Sequence, residues 1–129
     1  MKQLTKAEEQ LMHILWNLKE AVIKDVVEGF EEPRPAYTTV ATVLKVLEKK
    51  GFVAHTTIGN VHQYYAKITK PDYTRFQFST LLKDYFNGSF PRMATFFARE
   101  NNLSMVELEK MLKMTGEEIN KENFEEVRP

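Results

Sequence analysis

No cysteine occurs among the 129 residues. That excludes a disulfide framework, a thiol nucleophile and a thiolate metal site. Glycine and proline number five each, far from collagen-like or low-complexity composition. No apolar run approaches the roughly 18–20 residues that cross a bilayer, so membrane insertion is not expected. The opening MKQLTKAEEQ has no secretory apolar core. Enzyme fingerprints are missing as well: there is no G-x-S-x-G, P-loop, H-E-x-x-H or dinucleotide motif. Net charge is zero, with 18 basic and 18 acidic residues. What is present is 43% hydrophobic and 28% charged, too apolar for a disordered chain. A cytoplasmic globular protein is expected, without catalytic residues, cofactor or metal.

The zero charge is unevenly built. Residues 1–33 carry −3, residues 34–70 carry +5, residues 71–113 carry +1 and residues 114–129 carry −3. The basic island comprises Arg34, Lys45, Lys49, Lys50, Lys67 and Lys70 against Glu48 alone. A local basic patch steers phosphate backbones whatever the total charge.

Helix signals come first. Thr5 and Glu8 form a T-x-x-E capping box, and Leu11, Ile14, Leu15 and Leu18 follow at helical spacing, predicting a helix over 5–18. Residues 21–30 suggest a short second helix, ended by the prolines of EEPRPAY. A third, from about Thr38 to Lys50, buries Val40, Val43, Leu44 and Leu47 and turns Thr38, Thr42, Lys45 and Lys49 outward. Gly51 stops it. The period then changes. FVAHTTI and VHQYYAKI, separated by Gly59-Asn60, predict a β-hairpin with His55 opposite Tyr64 and Thr57 opposite His62. Three helical segments follow, at about 72–86, 91–100 and 104–113. Ser104 and Glu107 make a second capping box, and the acidic tail from Thr115 is expected to fray.

Helix, helix, turn, helix, hairpin is the order of a winged helix-turn-helix. The fold expected is therefore mainly α with a small β-hairpin, a winged helix over 1–70 followed by a helical dimerisation region over 71–129. One helix must enter a major groove about 12 Å wide while the others hold it. The 38–50 helix suits that role. Thr38, Thr39 and Thr42 offer short hydroxyls and methyls to base edges, and Thr38 also suits a helix N-cap. Lys45 and Lys49 suit phosphate, with Lys45 also able to reach a guanine edge, while Lys50 suits the helix dipole. Asn60 lies at the wing tip. Tyr64 and Tyr65 alternate, one for the core and the other for a phosphate, and Tyr64 joins the DNA-binding set. Trp16 is expected in the core. His13, His55 and His62 lie on different elements with no i, i+4 pair, so no metal site is expected.

The C-terminal half is dense in aromatics for its size, and so few residues bury only part of such a surface alone. Phe76, Leu82, Tyr85, Phe86, Phe96, Phe97, Leu108 and Leu112 are the expected dimerisation residues. The alternative is that they close one monomeric core with the winged helix. Because winged helices also bind proteins, a protein–protein module without DNA binding is the alternative function.

LTKAEEQLMHILW (4–16), YTTVATVLKVLEKKGFV (37–53) and the GN…YY segment (59–65) resemble the penicillinase-repressor family of β-lactamase, methicillin-resistance and copper-responsive repressors. The resemblance is dense over 1–70 and elsewhere lies in helical character. It implies a homodimeric repressor whose winged helix binds a palindromic double-stranded operator and whose C-terminal helices dimerise. The sequence departs from the pattern at three places: Val46 and Asn60 stand where arginines are usual, and Pro35 replaces an aromatic. Without a cysteine cluster, copper sensing is not implied. Phe96-Phe97 falls where β-lactam-responsive members are cut at an Asn-Phe bond, and without the asparagine a regulatory protease is not implied either.

Overall fold

The computed structural model describes the backbone over residues 1–127 and side chains over residues 1–122. Helix α1 (Lys6–Leu18) begins with the expected capping box: the Thr5 hydroxyl accepts from the Glu8 N–H at 3.2 Å, and Glu8 Oε1 accepts from the Thr5 N–H at 2.7 Å. Its Leu11, Met12 and Leu15 are fully buried. The chain then turns at Lys19, whose φ is 69°, into a two-residue strand β1 (Glu20–Ala21). Helix α2 spans Ile23–Gly29 and buries Val26. Helix α3 (Tyr37–Lys50) buries Val40, Leu44 and Leu47. It ends at Gly51, where φ is 84° and the left-handed backbone strains any side-chain-bearing residue.

Strands β2 (Val53–Ile58) and β3 (Val61–Ala66) form the hairpin in the expected register, His55 opposite Tyr64 and Thr57 opposite His62. At the tip Gly59 takes a φ of 64°. The sheet has a third strand that periodicity does not reveal. β1 pairs antiparallel with β3, Ala21 opposite Tyr64, giving the order β1-β3-β2. Two residues are too few to display an alternation, so the stretch was expected to belong to the second helix, over 21–30.

Helix α4 (Lys70–Phe86) starts within the same packing unit, which covers Met1–Phe78. Tyr73 is buried against Trp16 and Phe52, and its hydroxyl donates to Glu9 Oε2 at 2.7 Å. Burial, then the Glu9 carboxylate, push the Tyr73 phenol well above its ordinary range. Phe76 follows one turn later and packs half-buried on the same core. It was expected at a dimer surface; its place on the Tyr73 face of α4 gives it to this core instead. Trp16 Nε1 donates to the Ile68 carbonyl at 2.9 Å, so the expected core tryptophan also ties down the chain entering α4.

The second unit starts at Ser79. It holds the end of α4, then α5 (Phe90–Glu100) and α6 (Met105–Val127). Ser89 caps α5, accepting from the Arg92 N–H at 3.2 Å. Ser104 and Glu107 form the expected box at the start of α6. The expected segment 104–113 is longer than foreseen: beyond Thr115 the backbone remains helical, through a stretch rich in Glu. Among the described residues from Ser79 onward, none is buried.

Candidate nucleic-acid interface

Helix α3 presents two faces set by its 3.6-residue period. Val40, Leu44 and Leu47 anchor it inward. Thr38, Thr42, Lys45 and Lys49 are all exposed on the opposite side. Thr38 does not cap the helix, because Ala36 occupies that position without a side-chain bond. Its carbonyl instead accepts from the Thr42 hydroxyl at 3.0 Å. The Thr42 hydrogen is thus spent on the helix, leaving its oxygen lone pairs and methyl for outside contacts. Thr39 stands apart from this row. It lines a cavity of about 600 Å³, with Ile14, Phe30, Pro33, Pro35 and Val43.

Lys50 is drawn away from solvent. Its Nζ lies 2.7 Å from Glu8 Oε1 and 3.4 Å from the Gln3 carbonyl. Burial would raise the Glu8 carboxyl, but Lys50 and the two Thr5 hydrogen bonds outweigh it and hold the group below the usual carboxylate range. Lys50 therefore secures α3 to the start of α1.

The wing corrects one assignment. Tyr64, placed in the DNA-binding set, is 5% exposed and belongs to the core. The sheet turns Tyr64 and its β1 partner Ala21 into the buried core cluster, and Tyr65 is the tyrosine that faces outward. Burial, then the Glu48 charge and Tyr37, raise the Tyr64 phenol. Asn60 is exposed at the tip, between Ile58 (63% exposed) and Val61 (52%).

A second correction concerns the histidines. His55 and His62 lie on different strands, but the hairpin sets their ring centroids 4.3 Å apart. His55 Nδ1 is 2.5 Å from Glu48 Oε1 of α3, and His62 Nδ1 is 2.9 Å from the Thr57 hydroxyl. Diagonal pairing across the confirmed register brings them together, a signal already contained in the 55↔64 and 57↔62 pairs. Among the described residues no group of three or more His, Cys, Asp or Glu side chains is placed to hold a metal ion.

An exposed helix face of hydroxyls and ammonium groups, flanked by a hairpin, has the dimensions and chemistry to lie in a major groove. The penicillinase repressor family model matches residues 4–117, from before α1 into α6. The chain belongs to the penicillinase repressor family. The family is one of transcriptional repressors rather than of enzymes. Similar proteins include the methicillin resistance regulatory protein MecI of Mammaliicoccus sciuri, 24% identical over 110 residues, which cover 84% of this chain and 89% of that protein. MecI of Staphylococcus aureus (strain N315) matches to the same extent. The penicillinase repressor of Bacillus licheniformis is 25% identical over 120 residues, 92% of this chain and 94% of its own. The family match thus extends into the helices of the second unit, as far as residue 117, beyond the motif-dense first 70 residues. Among the described residues no helix is long and apolar enough to cross a membrane.

Proposed function

We propose that this protein is a cytoplasmic repressor that binds a palindromic DNA operator as a homodimer. The observation that carries this reading is the exposed row Thr38, Thr42, Lys45 and Lys49 on a helix whose other face is locked into the core. Membership of a repressor family supports it. Residues 1–78 are the DNA-binding part, extending the sequence-based boundary at residue 70 by two helical turns, and the remainder dimerises.

The dimer rests on what the second unit leaves uncovered. Tyr85 is 75% exposed and Leu112 72%, and Phe96, Phe97 and Met111 are exposed as well. An apolar surface of this extent marks an interface. Phe86, Leu82 and Leu108 are half-buried, and Phe86 meets Phe96 at 5.6 Å, so the patch has a formed base. Two copies would place two α3 helices in major grooves about 34 Å apart.

A gel shift on the DNA upstream of the protein's own coding sequence, at two salt concentrations, tests the reading. Salt-sensitive binding to a palindrome is expected, because neutralised phosphates release counterions. Its absence sinks the repressor reading. It would leave the second one, a winged helix that docks on protein, which the apolar wing tip of Ile58 and Val61 favours.

A further inference from the structure

The hairpin from Gly51 to Ala66 contains no lysine and no arginine. Every fixed positive charge of the basic island therefore lies off the wing, and the wing's only groups able to become cationic are His55 and His62. We propose that these two histidines form a phosphodiester-binding site on the wing that fills in the protonated state, making DNA affinity proton-linked.

Hydrogen-bond chemistry carries the argument. A carboxylate only accepts, so the hydrogen between Glu48 and His55 sits on His55 Nδ1. A neutral His55 then presents a bare lone pair at Nε2. A phosphodiester oxygen also only accepts, so it is repelled by that lone pair and held by the N–H that protonation creates. Among the described residues neither Nε2 has a hydrogen-bond partner. The two rings, tilted by 51° with centroids 4.3 Å apart, lie within the span of one phosphate.

Ionisable and polar neighbours come from each element packed there. Glu48 and Tyr37 face the sheet from α3, Tyr64 from β3, and the Thr57 hydroxyl bonds His62 from β2. Glu48 is the only carboxylate among these. It offsets the first proton taken up by the pair, so the second proton gives the site its net positive charge. Imidazole is the side chain whose ordinary titration falls within pH 5–8.

This site rests on the DNA-binding reading, and one experiment separates the two. The full chain is titrated onto a duplex of about 40 base pairs taken from the DNA upstream of its own coding sequence, room for two half-sites about one turn apart. Anisotropy is read at about pH 6 and about pH 8, on either side of the ordinary imidazole range. Binding should be tighter at the lower pH and more salt-sensitive there. Each added phosphate contact costs roughly a further threefold in affinity between about 50 and 200 mM salt. In His55→Gln/His62→Gln the two pH values should coincide. Glu48→Gln can donate to Nδ1 and free the other tautomer, so it should tighten binding at pH 8 and flatten the pH dependence. His62→Lys should bind at pH 8 nearly as tightly as the wild type does at pH 6. Circular dichroism of each variant confirms the fold. Binding that is equal at both pH values, or a pH effect that survives the double variant and so belongs to another group such as His13 or the α-amino terminus, overturns the site and leaves the DNA reading standing. No binding at either pH overturns both.

Discussion

Lys50 Nζ, at the last residue of α3, stands 2.7 Å from the buried carboxylate of Glu8 in the first turn of α1. The pair joins two segments 42 residues apart, the end of α3 and the start of α1. Lys50→Ala leaves that carboxylate without its cation and should destabilise the fold by about 2 kcal/mol, read by urea unfolding. The Glu8 carboxyl is held below its ordinary value. Its contribution is therefore complete above the carboxylate range and is lost as pH falls through it. Glu8→Gln should be less stable than the wild type near neutrality and close to it in acid. A gap that does not narrow with acid counts against the coupling.

Thr42 and Lys45 sit side by side on the outward face of α3. Lys45→Ala should weaken DNA binding across all sequences and lower the salt slope by about one, the signature of one lost phosphate contact. Thr42→Ala should instead reduce discrimination between operator variants, because in the proposed complex its methyl and lone pairs would face the groove. Thermal stability should stay within about 0.5 kcal/mol in both, as for surface positions generally. Unchanged binding in both variants would mean that another face of α3 meets DNA.

Gly29 closes α2 against α1. A Cβ built there would come within 2.5 Å of Ile14 Cγ2. That branch is fixed close to the backbone and cannot swing away as a long side chain would. Gly29→Ala should cost about 1–3 kcal/mol through overpacking. Ile14→Ala in the same chain should cost less than the sum of the two single changes, since it removes the clash. Additive costs in a double-mutant cycle would exclude this contact as the cause.

Tyr85 and Leu112 are the most exposed apolar side chains expected at the dimer surface. Tyr85→Asp with Leu112→Asp should shift the full chain from dimer to monomer in sedimentation equilibrium at tens of micromolar. The winged-helix unit, with its own buried core of Leu11, Leu15, Leu44 and Phe52, should keep its thermal transition. A wild-type monomer at that concentration would refute dimerisation through this surface.

Much of the winged unit was legible from local signals. The Thr5–Glu8 box, the apolar face of α3 and the Gly59-Asn60 turn depend on residues within one helical turn or one hairpin, and each stands in the structure as expected. The second capping box at Ser104 is of the same kind. Where reading failed, the deciding contact came from far along the chain. Tyr64 and Tyr65 are indistinguishable by alternation until the core built from α1, α2 and α3 covers one face of the sheet. Phe76 looked like interface until Tyr73 found Glu9 and drew the start of α4 onto the winged core. Lys50 looked like a dipole partner until Glu8 claimed it.

The sequence by itself determined the order of the helices and the hairpin, the family and the row of polar residues on α3, because periodicity, capping and turn chemistry act over a few residues. Tertiary structure decided which tyrosine is buried, which lysine is free and which histidines meet. Those outcomes depend on burial and on partners brought together by folding, and neither is a property of any local stretch.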